Sequence, residues 1–167
     1  MSPASSAHTY VADNILAIFK QYLKGKKCIP LGNGLLVHLS ERDKFVPDVT
    51  VVCDRDKIKP DGVHGAPDLV VEVLSPSTAK NDKTHKKNAY ACCGVLEYWL
   101  VDPSGKTIEV YHLDGAELVL YDIYALHADW ELAQMSEAER ATVVTYFKSS
   151  LFADLDISLE DIFYRTF

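Results

Sequence analysis

The chain has 167 residues, 48% of them apolar, which is enough for one domain with an ordinary core and calls for no second one. Its formal net charge of -7 counts against broad, sequence-independent binding of nucleic acid across the whole surface, but leaves room for a local basic groove. No apolar run approaches the length that spans a bilayer, and the start M-S-P-A-S-S-A-H lacks the charged and apolar regions of a signal peptide. A soluble, cytoplasmic protein with no membrane partner is therefore expected.

Between Tyr10 and Lys24, residues Val11, Ile15, Leu16, Ile18, Phe19 and Leu23 fall mostly on one helical face, and Gly25 ends the pattern, so a docking helix is expected. The segment from Lys27 to Ser40 reads as a short extended piece, a Gly-Asn-Gly turn and a strand over Leu35 to Leu39. Two apolar runs of strand length follow, V-P-D-V-T-V-V-C from Val46 and A-P-D-L-V-V-E-V-L from Ala66, with a long polar loop between Asp54 and Ala66 that is expected to be mobile.

Glu72 stands inside the second run, where its neighbours are Leu and Val. An unpaired ionised carboxylate there would cost several kcal/mol, so it must meet a cation, a donor or water. If the two runs pair as an antiparallel hairpin, Asp48 falls opposite Glu72 to Leu74. In matched register the two carboxylates share a face about 5 Å apart at Cβ, a gap that one divalent cation can bridge. Asp68 lies about 13 Å along the strand from Glu72, at ~3.3 Å per residue, and belongs to the loop end as a structural cap. The duller readings are a satisfied structural glutamate and an ordinary strand-opening aspartate.

Pro76 in S-P-S-T breaks the strand, and a helix is expected over about Asp82 to Cys93 with Gly94 as its stop. Asp82, Lys86 and Tyr90 recur every four residues and share a face; an exposed Asp-Lys pair beside a half-buried tyrosine is the plain interpretation. Lys80, Lys83, Lys86 and Lys87, with His85, form the densest positive cluster in the chain. Strands over Glu97 to Val101, Thr107 to Leu113 and Leu118 to Tyr124 follow, the first two joined by D-P-S-G; Tyr98 and Trp99 are expected in the core and on the sheet face. Ser136 with Glu139, and Ser158 with Asp161, mark two late helix starts. The order of elements suggests α+β or α/β packing around a mixed sheet. Four cysteines, Cys28, Cys53, Cys92 and Cys93, show neither a CxxC pair nor a repeated spacing and read as small core residues, without zinc or disulfide. The six histidines show no HxxxH spacing, which gives a histidine metal site little support.

From Pro47 to Pro103 the pattern of P-D plus strand, G-x-P-D-L-V-V-E-V-L-S-P-S-T, D-x-x-x-K-x-x-x-Y and G-V-x-E-Y-W-x-V-D-P runs without a gap. This resembles the Uma-two family, a bacterial group of restriction-endonuclease-like proteins in the PD-(D/E)xK nuclease superfamily. The resemblance implies a mixed β-sheet flanked by α-helices and a metal-dependent endonuclease that hydrolyses phosphodiester bonds. Its site would hold Mg²⁺ or Mn²⁺ on Asp48, Glu72 and the Val73 carbonyl. Leu74 stands where D/E-x-K places lysine, and the family's lysine on the following helix matches Lys86, with Tyr90 and Asp82 supporting it. Lys87, one residue on, is turned roughly 100° away. His8 matches a position at the head of the first helix, where it either lines the site or caps the helix. Lys80, Lys83 and Lys87 are the expected nucleic-acid contacts, with DNA favoured over RNA and a homodimer as a further partner. The whole of 1–167 is expected to be one such domain, without the N-terminal hairpin usual in the family. The alternative is an inactive nucleic-acid-binding or protein-interaction module on the same fold.

Overall fold

The computed structural model describes residues 4–32 and 34–166. Helix α1 (Ser6–Leu23) begins earlier than its apolar stripe, because Ser5 is the N-cap and its hydroxyl accepts from the His8 N–H. Val11, Ile15, Phe19 and Leu23 are buried at a spacing of four residues, which is the face α1 turns to the sheet. Strand β1 (Ile29–Gly32), the two-residue strands β2 (Val37–His38) and β3 (Lys44–Phe45), and β4 (Val49–Val52) follow. Asn33 of the expected turn and Met1 to Pro3 lie outside the described residues.

The segment between Asp54 and Ala66 is not an open loop. It holds a 3₁₀ turn (Arg55–Lys57) and the hairpin of β5 (Ile58–Lys59) with β6 (Gly62–His64), and β6 pairs in parallel with β2. Gly62 permits this approach: its φ is +141°, and a Cβ there would lie 2.2 Å from the Leu36 carbonyl oxygen. Strands of two or three residues leave almost no period to read, so the sequence shows this segment only as a polar loop.

Strand β7 (Leu69–Val73) pairs antiparallel with β4 and parallel with β8 (Glu97–Asp102). The crossover between β7 and β8 contains α2 (Ala79–Asn81), a π-helical turn (Asp82–Lys86) and α3 (Lys87–Cys93), so the helix starts before Asp82 and contains a wider turn than expected. Gly94, at φ 93°, closes α3 in the left-handed conformation. Strands β9 (Thr107–Asp114) and β10 (Glu117–Ala125) complete a six-stranded mixed sheet of order β1-β4-β7-β8-β9-β10. Helix α4 (Asp129–Gln134) starts after Ala128, whose side chain cannot cap it and so leaves no N-cap signal in the sequence. Helices α5 (Glu137–Ala141) and α6 (Leu159–Ile162) start at Ser136 and Ser158 as expected, with the two-stranded pair β11 (Tyr146–Phe147) and β12 (Ile157–Ser158) between them.

The residues of β4 and β7 alternate between two cores. Val49, Val51, Leu69, Val71, Val73 and Trp99 pack with α1 and, beyond residue 142, with Ile162 and Phe163. Val52, Val70, Tyr98 and Leu100 pack with α3 and with Val37 and Val63 of the small sheet β3-β2-β6-β5. With both faces covered, the central strands are mostly apolar, and Thr50, Glu72 and Glu97 are the buried polar side chains on them.

The cysteines correct the sequence reading. Cys28 and Cys53 form a disulfide, because Ile29 lies opposite Val52 in the β1–β4 ladder and the next pair outward is this one. A separation of 25 residues carries no local signal of that contact. Cys92 is exposed and Cys93 only partly buried. Among the described residues, no helix is long and apolar enough to cross a membrane.

Candidate functional site

In the β4–β7 ladder Val49 faces Val71, which brings Asp48 level with Glu72, one step beyond the last paired residues. Both carboxylates are buried, and both line a cleft of about 740 Å³ together with His8, Val73, Asp82 and Lys86. The Val73 N–H donates to Asp48 Oδ2 at 2.8 Å, and His8 Nε2 lies 3.4 Å from the same oxygen. Thus His8 lines the cleft, while the cap of α1 is Ser5.

Glu72 meets its donors from the crossover helix. The Tyr90 hydroxyl donates to Oε1 at 2.8 Å, and the Lys86 ammonium sits 3.1 Å from that oxygen and 2.9 Å from Asp82 Oδ1. Asp82 Oδ1 is buried and, among the described residues, meets no partner besides Lys86. On a regular α-helix each four-residue step drifts by roughly 40°, so Asp82 and Tyr90 would splay around Lys86. The π turn adds a residue to the circuit and lessens that drift over Asp82 to Lys86. Its Asp82 carbonyl accepts from the Tyr98 hydroxyl at 2.9 Å.

Burial pushes the Glu72 carboxyl up to about 8 against the pull of Lys86, with the nearby charges of Asp48 and Asp82 adding to the rise. For Lys86 burial acts downward, but the negative charges of Glu72 and Asp82 outweigh it and the net direction is up. His8 is raised chiefly by its hydrogen bond to Asp48, against burial, with smaller help from the Val73 backbone and the Glu72 charge. Near neutral pH Glu72 therefore keeps a proton and Lys86 a positive charge.

Among the described residues, no hydrogen bond reaches Asp48 Oδ1 or Glu72 Oε2. Two unengaged carboxylate oxygens on one cleft are the hard donors that suit Mg²⁺ or Mn²⁺. The donor set fits such an ion.

The other sequence-selected residues are placed as follows. Lys87 is not in the cleft; its ammonium lies over the Tyr111 ring at 4.4 Å. Lys83 is paired with Glu109 at 2.8 Å, and Lys80 is exposed on α2. Leu74 packs on the α3 side of the sheet. Asp68 Oδ2 accepts from the Cys53 N–H at 2.7 Å, a structural tie at the loop end. The hydroxyls of Ser75, Ser77 and Thr78 also line the cleft and touch one another, at 2.9 Å between Ser75 and Thr78. Sequence reading took S-P-S-T only as a strand breaker, although three hydroxyls directly after an acidic strand end were signal enough. The buried Glu97, bonded to Trp99 and to Ser149 and Ser150, was also missed; it ties a C-terminal loop to β8.

A mixed sheet with helices on both faces, and two acidic side chains where adjacent antiparallel strands meet at one end, is the restriction-endonuclease-like fold. Residues 1–142 match the family model Uma2, described as "Putative restriction endonuclease", and the chain belongs to that family. An uncharacterized protein from Synechocystis sp. is 33% identical over 124 residues, covering 72% of this chain and 65% of the relative, so the chain spans just under two thirds of that protein's length. The crystal structure of "a putative nuclease belonging to DUF820" from Anabaena variabilis superposes with a TM-score of 0.69 at 19% identity, over 97% of this chain and 83% of that one. At that identity the likeness is one of fold.

Proposed function

We propose that the chain is a metal-dependent nuclease that hydrolyses phosphodiester bonds of nucleic acid, DNA in preference to RNA. The observation that carries this reading is the pair of unengaged oxygens, Asp48 Oδ1 and Glu72 Oε2, facing one cleft beside the Lys86 ammonium. Asp48, Glu72 and the Val73 carbonyl would hold Mg²⁺ or Mn²⁺, which supplies positive charge against the charge that builds on the phosphate. Lys86 lends its ammonium to the phosphate oxygens or orients the attacking water. Asp82 holds that ammonium in place before substrate arrives, and Tyr90 fixes the Glu72 carboxylate. His8 steers Asp48 and carries a proton at the cleft wall. Lys80 is the cation best placed for the nucleic-acid backbone, and Lys83 and Lys87 would have to leave Glu109 and Tyr111 to join it.

The test is cleavage of DNA and RNA by the purified protein with Mg²⁺ or Mn²⁺, compared with Asp48→Asn and Glu72→Gln. Cleavage by the parent and its loss in both variants is expected. Folded parent protein that cleaves nothing with any divalent ion would sink the reading.

A second reading is an inactive nucleic-acid-binding or protein-interaction module. It is favoured by the self-neutralised state of the site, with Lys86 clamped between two acids and a proton kept on Glu72. Salt-sensitive binding without cleavage, weakened by neutralising Lys80, Lys83 and Lys86, would select it. We further propose that the chain forms a homodimer through β10, an edge strand on which Val119, Leu120, Tyr121 and Ile123 are exposed.

A further inference from the structure

A second cluster of metal-type donors lies on the small sheet. His38 on β2 and His64 on β6 are direct partners in the parallel ladder, so both side chains leave the same face. The Val63 N–H donates to the Leu36 carbonyl at 2.8 Å and the Gly65 N–H to the His38 carbonyl at 2.9 Å, which fixes the two backbones around the histidines. The β5–β6 hairpin turns through Pro60 and Asp61, and Gly62 brings this turn against β2 where no Cβ would fit. Asp61 thereby reaches over both rings.

The geometry is that of a three-ligand site. Asp61 Oδ1 lies 3.0 Å from His64 Nε2, and Asp61 Oδ2 lies 3.8 Å from His38 Nε2. One donor atom from each residue falls within 4.8 Å of the others. Donors held about 2.0–2.1 Å from a tetrahedral Zn²⁺ stand roughly 3.3 Å apart, and the two gaps to Asp61 bracket that value. Independently, His38 Nε2 is buried and has no hydrogen-bond partner among the described residues, so it faces the cluster with its bonding capacity unspent. An orphaned ring nitrogen in a polar corner is a standing cost unless a ligand meets it.

We propose that His38, Asp61 and His64 form a binding site for a borderline transition-metal dication, Zn²⁺ foremost, with water at the remaining position. Two imidazoles and one carboxylate select Zn²⁺ over Mg²⁺, the reverse of the all-oxygen pair Asp48 and Glu72. The rings are stacked 4.4 Å apart at 20°, so one must turn for both lone pairs to converge. His64, with 46% of its side chain exposed, is the ring free to turn. The ion would clamp the Pro60–Asp61 hairpin onto β2. That strand's other neighbour, β3, carries Phe45, whose ring packs 5.5 Å from the Tyr90 ring. The site therefore staples the small sheet that backs the Glu72 cleft.

Zn²⁺ titration by calorimetry on the full metal-free chain tests this, with Co²⁺ as a spectroscopic probe. One Zn²⁺ per chain is expected, retained in the Asp48→Asn/Glu72→Gln double variant, unaffected by excess Mg²⁺, and lost in His64→Ala. His64 is exposed, so that variant keeps the fold, which circular dichroism checks; His38→Ala is the confirming second variant. Co²⁺ should give visible d–d bands with no near-UV thiolate band. Absence of Zn²⁺ binding by folded parent protein overturns the proposal. So does binding unchanged in His64→Ala, binding lost in the Asp48/Glu72 double variant, or a thiolate band that assigns the ion to Cys92 and Cys93.

Discussion

Lys86 and Lys87 are adjacent in the chain and differ in everything that matters to the cleft. The first is buried to 16% side-chain exposure between Glu72 and Asp82; the second lies over an aromatic ring on the outer side. Lys86→Ala is expected to lower cleavage by roughly a hundredfold or more, the range for removing one transition-state donor, whereas Lys87→Ala should stay within a few-fold of the parent. Single-turnover rates on one DNA substrate would check this, and equal losses in both variants would count against a special role for Lys86. The protonation state of Glu72 gives a second expectation. Its ordinary pKa of 4.5 rises to about 8 in the folded protein, so between those values the fold binds the extra proton and the metal-free protein loses stability as pH increases. His8 acts with the same sign, since its raised pKa gives stability that is complete below 6.5 and is lost as pH climbs through its folded value. A divalent cation needs the ionised carboxylate and must displace that proton. The Mn²⁺-induced rise in Tm should therefore be small at pH 5.5 and large at pH 8, read by thermal shift; the opposite trend would remove Glu72 from the ligand set.

At the scale of elements, a few local devices hold the cleft in shape. The crossover helix delivers Asp82, Lys86 and Tyr90 to one carboxylate because a π turn absorbs the drift of a regular helix. The sequence shows the four-residue spacing and not the turn, since i→i+5 bonding leaves no mark in composition. On the far side, the Cys28–Cys53 disulfide joins the edge strand β1 to β4. Closing a loop of this length should contribute about 3–4 kcal/mol by restricting the unfolded chain. Cys28→Ser, or reduction of the parent protein, is expected to lower Tm by several degrees while leaving Asp48 and Glu72 in register. A Tm indifferent to reductant would show that β1 is held by its ladder alone.

Across the whole molecule, the six-stranded sheet ends in two unlike edges. β1 is short, and β10 is nine residues long with Tyr121 63% and Ile123 53% exposed. A long apolar edge is a template for pairing, and Tyr121→Glu places a charge on it. Sedimentation should show a dimer for the parent protein and a monomer for this variant; a parent that sediments as a monomer at every concentration would exclude the pairing. The net charge of -7 bears on the same scale, because it disfavours broad contact between the surface and a polyanion.

The antiparallel pairing of the two apolar runs and the meeting of Asp48 with Glu72 were legible in the sequence, because two neighbouring runs of strand length each open on Pro-Asp and matched register sets Asp48 against Glu72. The caps at Ser136 and Ser158, and the stop at Gly94, were legible because their physics spans three or four residues. Other features depend on contacts between segments that share no local period. These are the disulfide, the fold of the Asp54–Ala66 segment into a second sheet, and the meeting of His38, Asp61 and His64. Only the tertiary structure decided them, since each joins residues that come together after the strands between them have paired. The sequence pointed to the carboxylates Asp48 and Glu72 and, through the family resemblance, to Lys86, Tyr90 and His8; the fold decided that Tyr90 and Lys86 meet Glu72 while His8 meets Asp48, since the packing of the crossover helix and α1 on the sheet sets those distances.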